Sequence, residues 1–126
     1  KKNGAENINI VTGSHHTLPI LEGIKLAKKK GLCLPILWNT SSYEKNIEIT
    51  RLSSNVDIWL PDLKTLDSSF SFQLFNAKNY PQIATDAILS MVSYSPLLYA
   101  TDKKEKLISG VIAESQASVR SLKLKY

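Results

Sequence analysis

The chain has one cysteine, Cys33, so it can form no internal disulfide and no metal site made of cysteines alone. Cys33 lies in the apolar run Leu32-Cys33-Leu34, which reads as a small buried hydrophobe rather than a nucleophile. No run of about 18 apolar residues occurs, so no transmembrane helix is expected. The phosphate-cradling and nucleophile motifs are also missing: there is no G-x-G-x-x-G, no P-loop and no G-x-S-x-G. The segment Lys1 to Glu6 has no signal-peptide core, and a cytoplasmic location follows by default. Aromatic residues make up only 8% of the chain and form no stacking platform for bases. The net charge of +5 is scattered over Lys1-Lys2, Lys28-Lys29-Lys30, Lys103-Lys104 and the tail rather than forming a stripe. A nucleic-acid partner is therefore not expected. The Lys28–Lys30 run has a simpler role, as positive charge at the negative end of a helix.

What remains is an ordinary globular balance, 43% hydrophobic and 21% charged, in 126 residues, enough for one core. Three apolar segments read as strands: Asn7 to Thr12, Leu32 to Trp38 and Val56 to Leu60. The second is apolar almost throughout, as strands buried on both faces are, with Pro35 as a conflict inside it. Between them lie helical patterns. The first runs from Pro19 to Lys30, with Ile20, Leu21, Ile24 and Ala27 on one face and Gly31 at its stop. The second runs from Tyr43 to Leu52 and turns Ile47, Ile49 and Leu52 inward. Strand starts recur roughly every 25 residues with a helix between each pair, the rhythm of right-handed βαβ units. Further on, Ser68 to Phe75 reads as a short helix. Tyr80 to Ser93 reads as a longer one, with Ile83, Ala84, Ala87, Ile88 and Met91 in a ladder and Pro81 in the first turn. Leu97 to Ala100 and Leu107 to Ile112 read as two strands around a polar turn. The fold class is α/β, built of consecutive parallel βαβ units. An eight-stranded (β/α) barrel needs about 250 residues, so the expected architecture is an open sheet or a piece of such a barrel.

Each predicted strand delivers polar residues to its C-terminal end, where parallel α/β folds hold their ligands. After the first come Thr12, Gly13, Ser14, His15 and His16. After the second comes Asn39-Thr40-Ser41-Ser42, which either caps the next helix or holds an amide and hydroxyls over a ligand. The third stops on Pro61 and presents Asp62 and Lys64. These two, with side chains on the same side, are either a surface ion pair or an oriented pair for a polar ligand. His15 and His16 have no carboxylate or cysteine at ligand spacing, so a metal site made by the protein alone is not expected there.

The segments Asn7-Ile8-Asn9-Ile10-Val11-Thr12, Pro19-Ile20-Leu21-Glu22-Gly23-Ile24-Lys25-Leu26-Ala27-Lys28, Pro35 to Tyr43, Val56 to Lys64 and Ala77-Lys78-Asn79-Tyr80-Pro81 follow one another in a familiar order. Together, from Asn7 to Ile112, they resemble the radical S-adenosylmethionine proteins related to pyruvate formate-lyase activating enzyme. The resemblance implies a partial (β/α) barrel that holds a [4Fe–4S] cluster and S-adenosylmethionine at the C-terminal ends of its strands. It implies reductive cleavage of that cofactor to a 5′-deoxyadenosyl radical and hydrogen abstraction from a partner, such as a glycyl-radical-type enzyme. By the same resemblance Thr12, Ser14 and His15 lie near the methionine part of the cofactor, Asn39 and Thr40 are the polar pair of the next strand end, and Asp62 and Lys64 meet its carboxylate and amino end. The chain departs from the family in two places. The family's C-x-x-x-C-x-x-C loop is missing, and beyond Gly110-Val111-Ile112 the sequence loses the family's character. The expectation is the central part of such an enzyme, inactive alone, with a barrel domain over residues 1–112 and a poorly ordered tail over 113–126. Open sheet edges would then favour a partner that supplies the missing barrel half, or self-association. The alternative is a non-catalytic α/β protein-interaction module.

Overall fold

The computed structural model describes residues 4–95, 100–103, 105–112 and 114–115. Its strands are β1 (Ile8–Val11), β2 (Ile36–Thr40), β3 (Ile58–Leu63), β4 (Ala100–Thr101), β5 (Leu107–Val111) and β6 (Glu114–Ser115). Its helices are α1 (Thr17–Lys29), which follows a 3-10 turn at Gly13–His16, α2 (Asn46–Leu52), α3 (Ser68–Phe75) and α4 (Tyr80–Tyr94). The chain is α/β. Strands β1, β2, β3 and β5 lie side by side in that order and are all parallel, β4 pairs antiparallel with β5, and β6 pairs with the end of β3.

The register explains where the core sits. Ile10, Trp38, Trp59 and Val111 form one row across the four parallel strands. Trp38, Trp59 and Val111 are buried, and Ile10 packs against them. The same cluster takes in Leu21 and Ile24 from α1, Ile49 and Leu52 from α2, and Ala87 and Met91 from α4. Leu63, two residues beyond Pro61 on this side, packs with Tyr80, Ala84 and Ile88 of α4. All three of these helices therefore cover one face of the sheet. Burying an aromatic of this size removes roughly 200 Å² from water, so each tryptophan contributes on the order of 5 kcal/mol before entropy is charged. Because side chains alternate along a strand, Val11, Asn39, Leu60 and Asp62 point to the opposite face.

Several boundaries differ from the sequence expectation. β2 begins at Ile36, so Pro35 precedes it and the conflict over a proline within the strand disappears. Cys33 lies before β2 and is exposed, not buried in a strand; the apolar run that suggested burial is the approach to the sheet, in which Leu32 packs against the core. β3 does not stop at Pro61 but runs through it to Leu63, since proline's fixed φ suits extended backbone and only one N–H is lost. In α2, Ile49 and Leu52 are buried as expected, while Ile47 is exposed. Helix α4 matches its predicted span within a residue and buries Ala84, Ala87, Ile88 and Met91. Residues 97–99 of the predicted strand Leu97 to Ala100 lie outside the described residues, as do 113 and 116–126 of the predicted tail. Glu114–Ser115 adds a short strand beside Asp62 and Leu63.

Local chemistry fixes the element ends. Asp57 accepts the Ile36 N–H at 2.8 Å and sits 3.8 Å from the Lys28 Nζ, so the start of β2, the end of α1 and the start of β3 are tied together. Asp67 caps α3 by accepting from Ser69 N at 2.7 Å and Phe70 N at 3.0 Å. Helix α3 is unusual in what it shows to solvent. Phe70, Phe72, Leu74 and Phe75 are all exposed, and only Ser71 is buried.

Candidate functional site

Parallel pairing of β1, β2 and β3 brings their C-terminal ends to one edge of the sheet. The seven residues singled out from the sequence all lie at that edge, but the structure divides them between the sheet's two faces. Asn39 and Asp62 point to the face opposite α1, α2 and α4. Thr40 points to the helix-covered face and is buried there, and Ser14 reaches a partner on that same side. Thr12 is exposed in a left-handed conformation with φ 55°, and His15 is exposed on the 3-10 turn.

On the helix-covered side these residues converge on one carboxylate that sequence reasoning missed. Glu44 is only 4% exposed, and its Oε1 accepts from Ser14 Oγ at 2.7 Å, Thr40 Oγ1 at 2.7 Å and Trp38 Nε1 at 2.9 Å. A buried carboxylate is costly unless donors surround it, and three donors on one oxygen meet that need. Glu44 thus ties the turn after β1 to the end of β2. Thr40 and Ser14, expected near a ligand, are occupied within the protein. Gly13 is required beside them: a Cβ there would stand 2.6 Å from Trp38 Cη2, 2.9 Å from Ile10 Cγ2 and 3.0 Å from Ile20 Cδ1.

Tyr80 makes the second tie. Its hydroxyl accepts from Lys64 N at 2.8 Å and donates to the Ser41 carbonyl at 2.8 Å, so it clamps the ends of β2 and β3 together. Burial pushes the Tyr80 hydroxyl above its ordinary pKa of 10.0, opposed by the Lys64 N–H and reinforced by the Asp62 carboxylate. Tyr43 stacks on the Tyr80 ring with centroids 5.8 Å apart. Ser42, at φ 66°, donates from Oγ to the Asp62 carbonyl at 3.2 Å and from its backbone N–H to Thr40 Oγ1 at 3.1 Å. The Asn39–Ser42 segment therefore does not cap α2, whose N-cap position is Lys45 with no side-chain cap bond.

The other face is different. Lys64 pairs with Asp62 Oδ2, as their two-residue spacing implied. Asp62 Oδ1 is shielded from solvent and has no hydrogen-bond partner among the described residues. The Asn39 side chain makes no hydrogen bond among the described residues, although its carbonyl accepts the Thr12 N–H at 2.9 Å. An amide, a carboxylate oxygen and an ammonium thus stand at the ends of two adjacent strands, with binding capacity left over. Such a set suits a small zwitterion. No signal in the sequence separated Asn39 from Thr40; only strand alternation in the correct register does.

Among the described residues no group of three or more His, Cys, Asp or Glu side chains could hold a metal ion, and no helix is long and apolar enough to cross a membrane. Comparison with protein-family models, with curated proteins and with solved structures gives no match to this chain.

Proposed function

We propose that this chain is the central part of a radical S-adenosylmethionine protein of the pyruvate formate-lyase activating type, and that its own share of the work is to hold the amino-acid end of S-adenosylmethionine. One observation carries the reading: Asp62 Oδ1 is buried without a partner beside Lys64, and Asn39 on the neighbouring strand has an idle amide. Asp62 fits the ammonium of the cofactor's methionyl group, and Lys64 and Asn39 fit its carboxylate. The sheet is wound in one direction, with β1, β2, β3 and β5 in sequence order and helices on one face. That supports a segment of a (β/α) barrel, in which the helix-free face is the interior.

The iron–sulfur cluster does not fit this chain. Its ligands would be three thiolates, and the single cysteine precedes β2 at the opposite end of the sheet from Asp62 and Lys64. S-adenosylmethionine supplies hydrogen-abstracting chemistry only when it is reduced, so the chain alone binds and orients the cofactor without cleaving it. The expected partner is the missing barrel half that brings the cluster, with a protein such as a glycyl-radical-type enzyme as hydrogen donor.

Titration with S-adenosylmethionine, followed by amide NMR, tests the reading. Saturable shifts at Asn39, Asp62 and Lys64, lost in Asn39→Ala, support it. Absence of any saturable shift at these residues overturns it. A second reading, a non-catalytic interaction module, is favoured by α3, where Phe70, Phe72, Leu74 and Phe75 are exposed together. The encoding sequence on either side separates the two: an upstream C-x-x-x-C-x-x-C supports the enzyme, and a start codon near Lys1 supports the module.

A further inference from the structure

The two edges of the sheet are unlike. At one end β4 is two residues long and its pairing with β5 shifts register between Ala100 and Thr101; short, irregular edge strands resist further pairing. At the other end stands β1, which pairs only with β2 among the described strands. Ile8 N donates to the Pro35 carbonyl and Thr12 N to the Asn39 carbonyl, both at 2.9 Å, so the backbone groups of Ile8, Ile10 and Thr12 face β2. Asn7, Asn9 and Val11 alternate with them and turn their N–H and C=O groups outward. Charge, proline and a bulge are the devices that blunt an edge, and β1 has none of them. Asn7 to Thr12 is neutral and free of proline in a chain of net charge +5, and β1 pairs with β2 in unbroken register. Its apolar side chains are uncovered as well: Ile8 is 36% exposed and Val11 62%.

We propose that β1 is a dimer interface, which takes the β1 of a second copy in antiparallel pairing centred on Asn9. A two-fold axis there sets Asn9 opposite the copy's Asn9, and Asn7 opposite the copy's Val11. These are the residues with outward groups, so each such pair exchanges both of its N–H···O bonds. On the helix-covered face Ile8 meets the copy's Ile10, which joins the apolar rows of the two sheets. On the other face the two Asn9 amides stand opposite one another and hydrogen-bond. A second copy is the occupant that the charge pattern favours. Two-fold pairing about Asn9 sets that residue against its own copy and brings the neutral strand only against itself, so charge on β1 would repel its copy, and β1 has none. The helix layer leaves room for the contact: on α1, one turn from Ile20, the exposed Gly23 has nothing within 4 Å of where a Cβ would lie. The interface is independent of the rim assigned to S-adenosylmethionine, and either can fail without the other.

The test is sedimentation equilibrium of the full chain over a wide range of concentration, which is expected to show monomer and dimer. Asn9→Pro removes an outward N–H and no β1–β2 bond, so the variant keeps its tryptophan fluorescence. It loses the central pair of hydrogen bonds and dimerises about tenfold more weakly or worse. Asn9→Lys and Asn9→Glu alter an exposed side chain and leave the backbone alone. Each sets like charges opposite one another and weakens the dimer several-fold. An equimolar mixture of the two restores it, because only a two-fold contact at this residue sets the lysine against the glutamate. This pair of variants decides the matter even if the proline variant does not fold. A chain that stays monomeric at every concentration, a dimer as tight in folded Asn9→Pro as in the parent, or a mixture no tighter than its two components overturns the proposal.

Discussion

Replacing Glu44 with glutamine tests whether one buried carboxylate holds the strand ends together. The side chain keeps its length and shape, so packing is conserved and only charge and one acceptor change. Three donors meet Glu44 Oε1 at 2.7, 2.7 and 2.9 Å. A hydrogen bond to a charged acceptor contributes about 1.5–3 kcal/mol, and a neutral one about 0.5–1.5 kcal/mol. Losing the charge therefore costs about 1 kcal/mol per bond. An amide oxygen has two lone pairs, so one of the three donors is left without a partner, at about 1–3 kcal/mol more. The expected destabilisation is about 3–5 kcal/mol, a fall of roughly 10–20 °C in Tm for a domain of this size. Urea unfolding followed by tryptophan fluorescence measures it well, because Trp38 is itself one of the donors. Thr40→Val removes two bonds, the one donated to Glu44 and the one accepted from the Ser42 N–H, and is expected to cost about 2–4 kcal/mol. In the double variant the two effects should couple by about 1 kcal/mol, since both act on one network. If Glu44→Gln unfolds within about 0.5 kcal/mol of the parent, Glu44 is not the organising group and the geometry of the Ser14 turn has another cause.

Gly13→Ala places a methyl against Trp38, Ile10 and Ile20 at 2.6–3.0 Å; thermal melts are expected to show a loss of about 1–3 kcal/mol from overpacking. Asn39→Ala removes a side chain with no partner among the described residues, so its stability should stay within about 0.5 kcal/mol of the parent even as S-adenosylmethionine binding is lost. A drop well beyond that in urea denaturation would mean that the amide is structural. Tyr80→Phe strands the Lys64 N–H and the Ser41 carbonyl and should cost about 1–3 kcal/mol at neutral pH. The pKa of Tyr80 is raised in the folded state, so its contribution is full below the ordinary value of 10.0 and falls as pH rises through the folded value. The gap between parent and Tyr80→Phe urea midpoints should therefore narrow above pH 10; a constant gap would show that the hydroxyl ionises alike in both states.

The order of elements was legible in the sequence because it rests on local signals. Helix α4 carries an apolar ladder with proline in its first turn, and its span was read within a residue. β2 was placed four residues early because Leu32 to Leu34 are as apolar as the strand itself, and only pairing with β1 shows where hydrogen bonding begins. That shift matters for the site. With β2 at Ile36–Thr40 the face of Asn39 and the face of Thr40 are fixed as opposite, and a one-residue slip would exchange them. Glu44 was missed for a related reason. No local pattern marks it, because its partners include Ser14, 30 residues away. Tyr80 gave no signal beyond its helix, since its hydroxyl closes contacts to Ser41 and Lys64 across long stretches of chain.

The two faces of the strand ends divide their labour. On the helix-covered side, polar groups are spent on holding loops: Glu44 fixes the turns after β1 and β2, and Tyr80 with Ser42 fixes the ends of β2 and β3. On the side opposite these helices, Asn39 and Asp62 retain unused capacity among the described residues. A binding site requires both, because side chains that must wait for a ligand need supports that do not move when it arrives. The same logic ranks the residues by what their loss should do. Glu44, Tyr80 and Gly13 are expected to lower stability and, through it, everything else. Asn39 is expected to lower only binding. A variant of Glu44 that bound S-adenosylmethionine as well as the parent, at a temperature where both are folded, would separate the two faces and show that the rim does not depend on the network beneath it.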